Sequence, residues 1–290
     1  MSNTDLIIEE RSRDIGDFLV GRLIPFRKKR MVGPFIFIDH MGPSEVGAGK
    51  YMDIDQHPHI GLSTLTYLFE GEIHHRDSIG SDQIIKPGSV NWMTAGSGVT
   101  HTERTPDHRR GGETFQIHGY QIWVALPRDK EEIAPSFHHI PEESLPSWQE
   151  NGASFRLVAG EGYGKKSPLP VHSPLFMVEI RTREDYLLDI KGQLSGEIGI
   201  CIVNGEVTAC DQTIGTGNML VSKTDDACTL QIKKNSLILL FGGEPFPEER
   251  HIFWNFVSAS KERIEQAKED WKERKFPKVA NDASYVPLPG

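Results

Sequence analysis

Four residues of this 290-residue chain have the types and the spacing to hold a transition-metal ion. His57 and His59 stand at i and i+2 within QHPHIG (residues 56–61), and His101 and Glu103 repeat that spacing within GVTHTE (residues 98–103). In a β-strand, residues two apart point to the same face. Each pair therefore aims both side chains into one space, and two such pairs on neighbouring strands converge as three imidazole nitrogens and one carboxylate oxygen. That donor set suits Fe, Mn, Co, Ni, Cu or Zn. It lacks the thiolates of a structural cysteine-type zinc site. Four protein ligands on an ion that takes five or six leave positions for water, dioxygen or substrate. An isolated H-x-H is often just two solvated histidines; the second pair, and the turn at Pro87–Gly88 between the two, is what turns the pattern into a site.

Such pairs need strands to carry them, and the sequence supplies them. FLVGRLIP, FIFID, STLTYLFEG, QIIKPGSVNWM and YQIWVALP are short runs rich in β-branched and aromatic residues, separated by turn residues. Their even spacing suits a sandwich or barrel. The pattern lapses over 128–152, a polar, proline-bearing stretch, and resumes with FRLVAG, LFMVEIRT, GEIGICIVNGEV, NMLVSK, CTLQIKK and SLILLFGG. YLFEGEI followed by IIKPGSVNWM is echoed by CIVNGEV followed by TIGTGNMLVS, which reads as a duplicated β-domain. Near the end, KERIEQAKEDWKERKF places Ile264, Ala267 and Trp271 on one helical face, with Ser260 as N-cap and Glu262 in the first turn. The expected organisation is all-β: a metal-binding barrel over 1–135, a linker over 136–150, and a second barrel with the tail helix over 151–290.

Composition narrows the partners. A net charge of −9 argues against direct nucleic-acid binding, and the basic run Arg27–Arg30 reads as a solvated turn. Cys201, Cys210 and Cys228 have no metal spacing and read as reduced packing residues. No stretch has the length and apolarity of a signal peptide or of a membrane span, so the expected location is cytoplasmic.

Other polar residues receive plainer readings. His74, His75 and Asp77 in HHRDS read as a polar strand end near the barrel mouth, and the kinase-like H-R-D string as an accident. His108 in DHRRGGE reads as solvated, His118 as a hydrogen-bonded core residue, and His138 and His139 as part of the linker. Asp39 and His40 end the FIFID strand as turn formers or as groups orienting a ligand imidazole. Gly160, Gly162 and Gly164 form no dinucleotide fingerprint, because no helical pattern follows.

MVGPFIFIDHMGP, QHPHIGLSTLTYLFEGEIHHRDS, KPGSVNWMTAGSGVTHTE and HGYQIWVALP together resemble the pirin family of the cupin superfamily, from about residue 10 to residue 127. The second half resembles it more loosely, through LLFGGEP and the NFV segment before the tail helix. The resemblance implies two cupin-type jelly-roll β-barrels in tandem, with one metal, usually iron as Fe(2+), in the first. Its family ligands match His57, His59, His101 and Glu103. Ser63 stands near where many cupins place a glutamate ligand; in pirins the carboxylate comes from the second motif, here Glu103. The pair Leu62–Ser63 is expected to make a neutral rim. Aligning the duplicated half puts Lys191 and Gln193 opposite the first histidine pair, and Leu230 and Ile232 opposite His101 and Glu103, so the second barrel is expected to be metal-free. The family also implies a function: dioxygenase opening of a planar flavonol such as quercetin with O₂, of the 2,4 type that releases carbon monoxide. Glu103 would then help remove the 3-hydroxyl proton, and Phe37, Phe69 and Trp92 are candidate aromatic walls. The other function it implies is a redox-sensitive, metal-bearing regulatory partner of a transcription factor or metabolic enzyme.

Overall fold

The computed structural model describes residues 6–15, 18–209, 212–223 and 229–289. Strands dominate, and the expected runs form them, among them Leu19–Ile24, Phe35–Val46, Leu62–Glu70, Phe115–Ala125, Ala153–Gly162, Leu175–Thr182 and Leu237–Gly243. Phe35–Val46 runs on well past FIFID, so Asp39 and His40 lie inside a strand and are buried, not at its end. Of the cysteines, Cys201 is buried; Cys210 and Cys228 fall outside the described residues.

The chain divides into two compact units that interleave along the sequence. One comprises the segment up to Arg11, Gly21–Phe37 and Glu143–Phe246; the other comprises Ser12–Val20, Ile38–Glu142 and Pro247–Gly290. This differs from the serial order expected above. The segment 136–150 is not free connecting chain: Ser136–Ile140 pairs with Val90–Thr94, and Ser147–Glu150 pairs with Ala153–Gly162. The tail helix, Lys261–Lys272, groups with the histidine-bearing barrel because its apolar face is buried there. Ile264, Ala267 and Trp271 pack with Ile60, Phe256 and Phe276, and Ser260 caps the helix by accepting the Arg263 N–H at 3.2 Å.

The histidine-bearing barrel sets a four-stranded sheet beside a larger one. The four run in the order Asp53–His59, Val99–Arg104, Ile73–Asp77, Asp82–Ile85, all pairs antiparallel. The larger sheet runs Ser136–Ile140, Val90–Thr94, Leu62–Glu70, Phe115–Ala125, Phe35–Val46, followed by Leu19–Ile24 and Arg11–Asp14. Two features fix the first ligand strand. Gly61 turns the chain out of it at φ +66°, where an added Cβ would sit 1.9 Å from the Val257 carbonyl oxygen, so only glycine fits. Gln56 is clamped by the tail: its amide donates to the carbonyls of Asp282 (2.9 Å) and Ser284 (3.0 Å) and accepts the Val279 N–H at 2.8 Å.

The second barrel repeats the plan. Its four-stranded sheet runs Tyr186–Leu188, Leu230–Ile232, Glu206–Ala209, Gln212–Gly215. Registers match strand for strand: Leu230 pairs with Leu188 and Ala209 where His101 pairs with His57 and Asp77. The counterpart of His57 is thus Leu188 rather than Lys191, because the loops of this half differ in length and counting from glycines slips by three residues. Leu230 and Ile232 hold the His101 and Glu103 positions as expected, and they share a buried apolar core with Leu188, Ile190 and Val207.

Candidate metal centre

Three of the four candidate ligands are gathered at one point. Ligand atoms of His57, His59 and His101 all lie within 4.8 Å of one another, and all three residues are buried. The two strands explain it: Val99 pairs with His59 and His101 with His57, which puts the histidines on one inward face. The His59 and His101 rings face each other through Nε2 at 3.1 Å. The His57 Nδ1–H donates to the Asp55 carbonyl at 2.8 Å, and because a carbonyl only accepts, the His57 Nε2 is left with its lone pair.

Glu103 is placed differently. It groups with His75 and His101, again within 4.8 Å, and not with His57 and His59. The register accounts for it: Glu103 stands directly opposite His75 on the neighbouring strand, in unbroken step with His101, which is opposite Asp77. On its other side the Asp53–His59 strand carries an extra residue, a β-bulge that pairs Glu103 with Ile54 and takes that strand out of step. The Glu103 carboxylate is buried, and Thr66 Oγ1 lies 3.3 Å from its Oε1 and 2.9 Å from the Gln121 side-chain oxygen.

His75 and Asp77 are the residues sequence reading placed wrongly. Asp77 does close the strand Ile73–Asp77, but both residues are buried, and only their neighbours His74 and Arg76 face outward. His75 Nε2 lies 3.1 Å from Asp77 Oδ2, and His75 Nδ1 lies 3.3 Å from His101 Nδ1. The missed signal is the same one that found the candidate ligands: His75 and Asp77 are a third i, i+2 pair, on the strand next to His101. His118 is a hydrogen-bonded core residue as expected, 2.9 Å from His40 through the two Nε2 atoms, and His108 is exposed and pairs with Glu72. The rings packed on the imidazoles are Trp123, edge-on to His59 at 5.1 Å, and Phe137, stacked on His75 at 4.6 Å. Of the expected walls, Trp92 is buried and donates its N–H to Thr94, Phe69 packs edge-on to Tyr67, His118 and Tyr120, and the Arg22 guanidinium lies over Phe37. Leu62 and Ser63 are fully buried and form no rim; Ser63 hydrogen-bonds Thr94.

Burial sets the electrostatics. Desolvation pulls His57 from 6.5 down to about 4, against the hydrogen bond to Asp55 that favours its charged form. His59 and His101 are also lowered well below 6.5, first by burial and then by their histidine neighbours. All three are neutral at pH 7, the state in which imidazole binds a metal. Burial raises Glu103, against His75 and the hydrogen bonds from Thr66 and Gln121. The donor set, neutral imidazoles with an adjacent carboxylate, therefore fits a divalent transition metal. The histidines also make a prediction. Their folded pKa values lie below the unfolded ones, so the stability they permit is whole above pH 6.5 and is lost as pH falls toward 4. The shift of His57 alone corresponds to about 3 kcal/mol. The thermal midpoint of metal-free protein, followed by circular dichroism in chelator, should fall steeply between those values.

Two barrels with the same sheet plan, one carrying a buried histidine cluster, define a bicupin. The Pirin family model matches residues 18–124, and the model of the pirin C-terminal cupin domain matches residues 177–277. A pirin-like protein of Caulobacter vibrioides is 47% identical over 98% of this chain and 99% of its own. Pirin of Mus musculus is 29% identical over 93% of this chain and 91% of its own. The crystal structure of a protein described as quercetin 2,3-dioxygenase from Acinetobacter baumannii has a TM-score of 0.90 and 34% identity, over 98% of this chain and 95% of that one. The chain belongs to the pirin family.

Proposed function

We propose that this protein is an iron-dependent dioxygenase of flavonols, of the quercetin 2,4-dioxygenase type. The observation that carries the reading is the convergence of His57, His59 and His101, buried and neutral, beside the buried carboxylate of Glu103. The three imidazoles would hold the metal, with Glu103 completing the set. Bound there, Fe(2+) would supply open coordination positions and Lewis acidity for a chelating hydroxy-ketone and O₂.

The remaining chemistry belongs to the chain. Burial raises the Glu103 carboxylate toward working pH, which improves it as a base for a substrate hydroxyl proton. Hydrogen bonds from Thr66 and Gln121 hold the carboxylate in place. Trp123 and Phe137 shield the imidazoles and help keep bulk water from them. The similarity to the Acinetobacter protein described as a quercetin 2,3-dioxygenase supports the substrate class. No helix among the described residues is long and apolar enough to cross a membrane, and we place the reaction in the cytoplasm, with a planar aromatic substrate and O₂ as partners.

The test uses purified protein loaded without oxygen with Fe(2+) and, in parallel, Mn, Co, Ni, Cu and Zn. Quercetin and air are then added, and loss of visible absorbance is followed together with carbon monoxide. The reading predicts both signals with iron. Absence of turnover with every metal would overturn the enzyme assignment and leave the protein-partner reading standing. Quercetin loss without carbon monoxide would overturn the 2,4 ring opening.

A further inference from the structure

We infer that Asp77 and His75 form a hydrogen-bonded relay that fixes His101 in the tautomer with a bare Nε2 directed into the three-histidine cluster. The inference rests on the metal reading above and assigns positioning roles to two residues outside the ligand set.

The relay can be followed from its fixed end. Asp77 Oδ1 accepts two backbone N–H groups, from Ile79 at 3.1 Å and from Ser81 at 2.9 Å. That leaves Oδ2 for His75 Nε2 at 3.1 Å. Burial pushes the Asp77 carboxyl up, but its hydrogen bonds from His75 and Ser81 outweigh burial and hold it below the usual carboxylate range, so it is an acceptor. His75 therefore donates from Nε2. In the relay that is the ring's one proton, so its Nδ1 accepts, and the group facing it at 3.3 Å, His101 Nδ1, donates. His101 Nε2 is then bare, and it is the atom 3.1 Å from His59 Nε2. Phe137, stacked on His75 with ring planes 19° apart, keeps the middle ring from turning. Carboxylate-to-imidazole bonds of this kind orient metal ligands and raise their basicity.

The same geometry separates the relay from a second metal site. His75, His101 and Glu103 also lie close enough to share an ion. An ion there that used His101 Nδ1 would need that atom bare, whereas the relay makes it a donor.

Asp77→Asn is the informative variant. The two backbone donors require the amide oxygen at the Oδ1 position, so the amide nitrogen faces His75 and donates where the carboxylate accepted. Every bond in the relay then reverses, and His101 carries its proton on Nε2. The experiment is long-range 15N–1H correlation spectroscopy of the histidine rings in the full chain, apo and zinc-loaded, with zinc affinity measured by chelator competition. The expected wild-type pattern is protonated Nδ1 and bare Nε2 on His101, with His75 protonated on Nε2 alone. In Asp77→Asn the pattern inverts and zinc affinity falls about 10–100-fold. His75→Asn, which keeps an acceptor near the Nδ1 position, should bind zinc better than His75→Leu. A wild-type His101 bound through Nδ1, a doubly protonated His75, or Asp77→Asn with unchanged affinity would overturn the relay. The wild-type spectrum decides even where a variant does not fold. Zinc uptake with the wrong tautomers sinks the relay alone; the expected tautomers without zinc uptake sink the metal reading and sustain the relay.

Discussion

Alanine at His101 is expected to lower metal affinity about 10²–10³-fold. Apparent free energies of structural zinc sites are about 10–16 kcal/mol. Divided over three or four ligands, that is about 3–4 kcal/mol each, at about 1.4 kcal/mol per tenfold. His101 is the sharpest choice, because it is the one residue common to both clusters and is fully buried, so no solvent-exposed rotamer can substitute for it. The measurement is competition with a calibrated chelator, for zinc and for Fe(2+) without oxygen. His108→Ala is the control: His108 is exposed and pairs with Glu72, and its loss should leave affinity unchanged. Equal affinity of the His101→Ala chain and the wild type would remove these imidazoles from any metal role.

Glu103→Gln separates holding the metal from moving the proton. Glutamine keeps the shape and the acceptor oxygen near Thr66, but its amide cannot take a proton. Loss of a positioned general base costs about 10²–10⁴-fold in rate. Flavonol turnover should fall by that amount, while three imidazoles continue to take up metal. A purely structural carboxylate would show the opposite, with metal content and turnover falling together. The substitution also has a sign in the metal-free chain. Burial raises the folded pKa of Glu103, so this residue lowers stability as pH rises through and above its unfolded value. The glutamine variant should gain more stability than the wild type on going from pH 4 to pH 8, because it keeps the gain from the histidines without the loss from the carboxylate.

The candidate pairs were legible because strand periodicity is short-range: His57, His59, His101 and Glu103 need only the i, i+2 rule to be read as inward-facing, and all four are buried. What the rule does not contain is register. Glu103 meets His75 because the two stand opposite each other on neighbouring strands, while a bulge takes Asp53–His59 out of step beside it; both follow from pairing with distant strands, which no local pattern specifies. His75 and Asp77 obey the same rule as the ligands, but the tandem HHRD invites reading as a solvated strand end, and only burial shows which alternate residues face inward. The amphipathic tail helix and its cap were readable from Ser260, Ile264, Ala267 and Trp271. Its partners, Ile60 and Phe256, were not, because helical periodicity names a buried face and not what covers it. The same limit explains the interleaved units and the three-residue slip to Leu188 in the second barrel, where differing loop lengths defeat alignment by glycines.

The most direct test of the central claim is an anomalous-difference map from crystals of the wild-type chain grown with zinc or with Fe(2+). The account predicts one peak, within bonding distance of Nε2 on each of His57, His59 and His101. A featureless map at that point, or a peak bound at His101 Nδ1 with His75 and without His57 and His59, would contradict it.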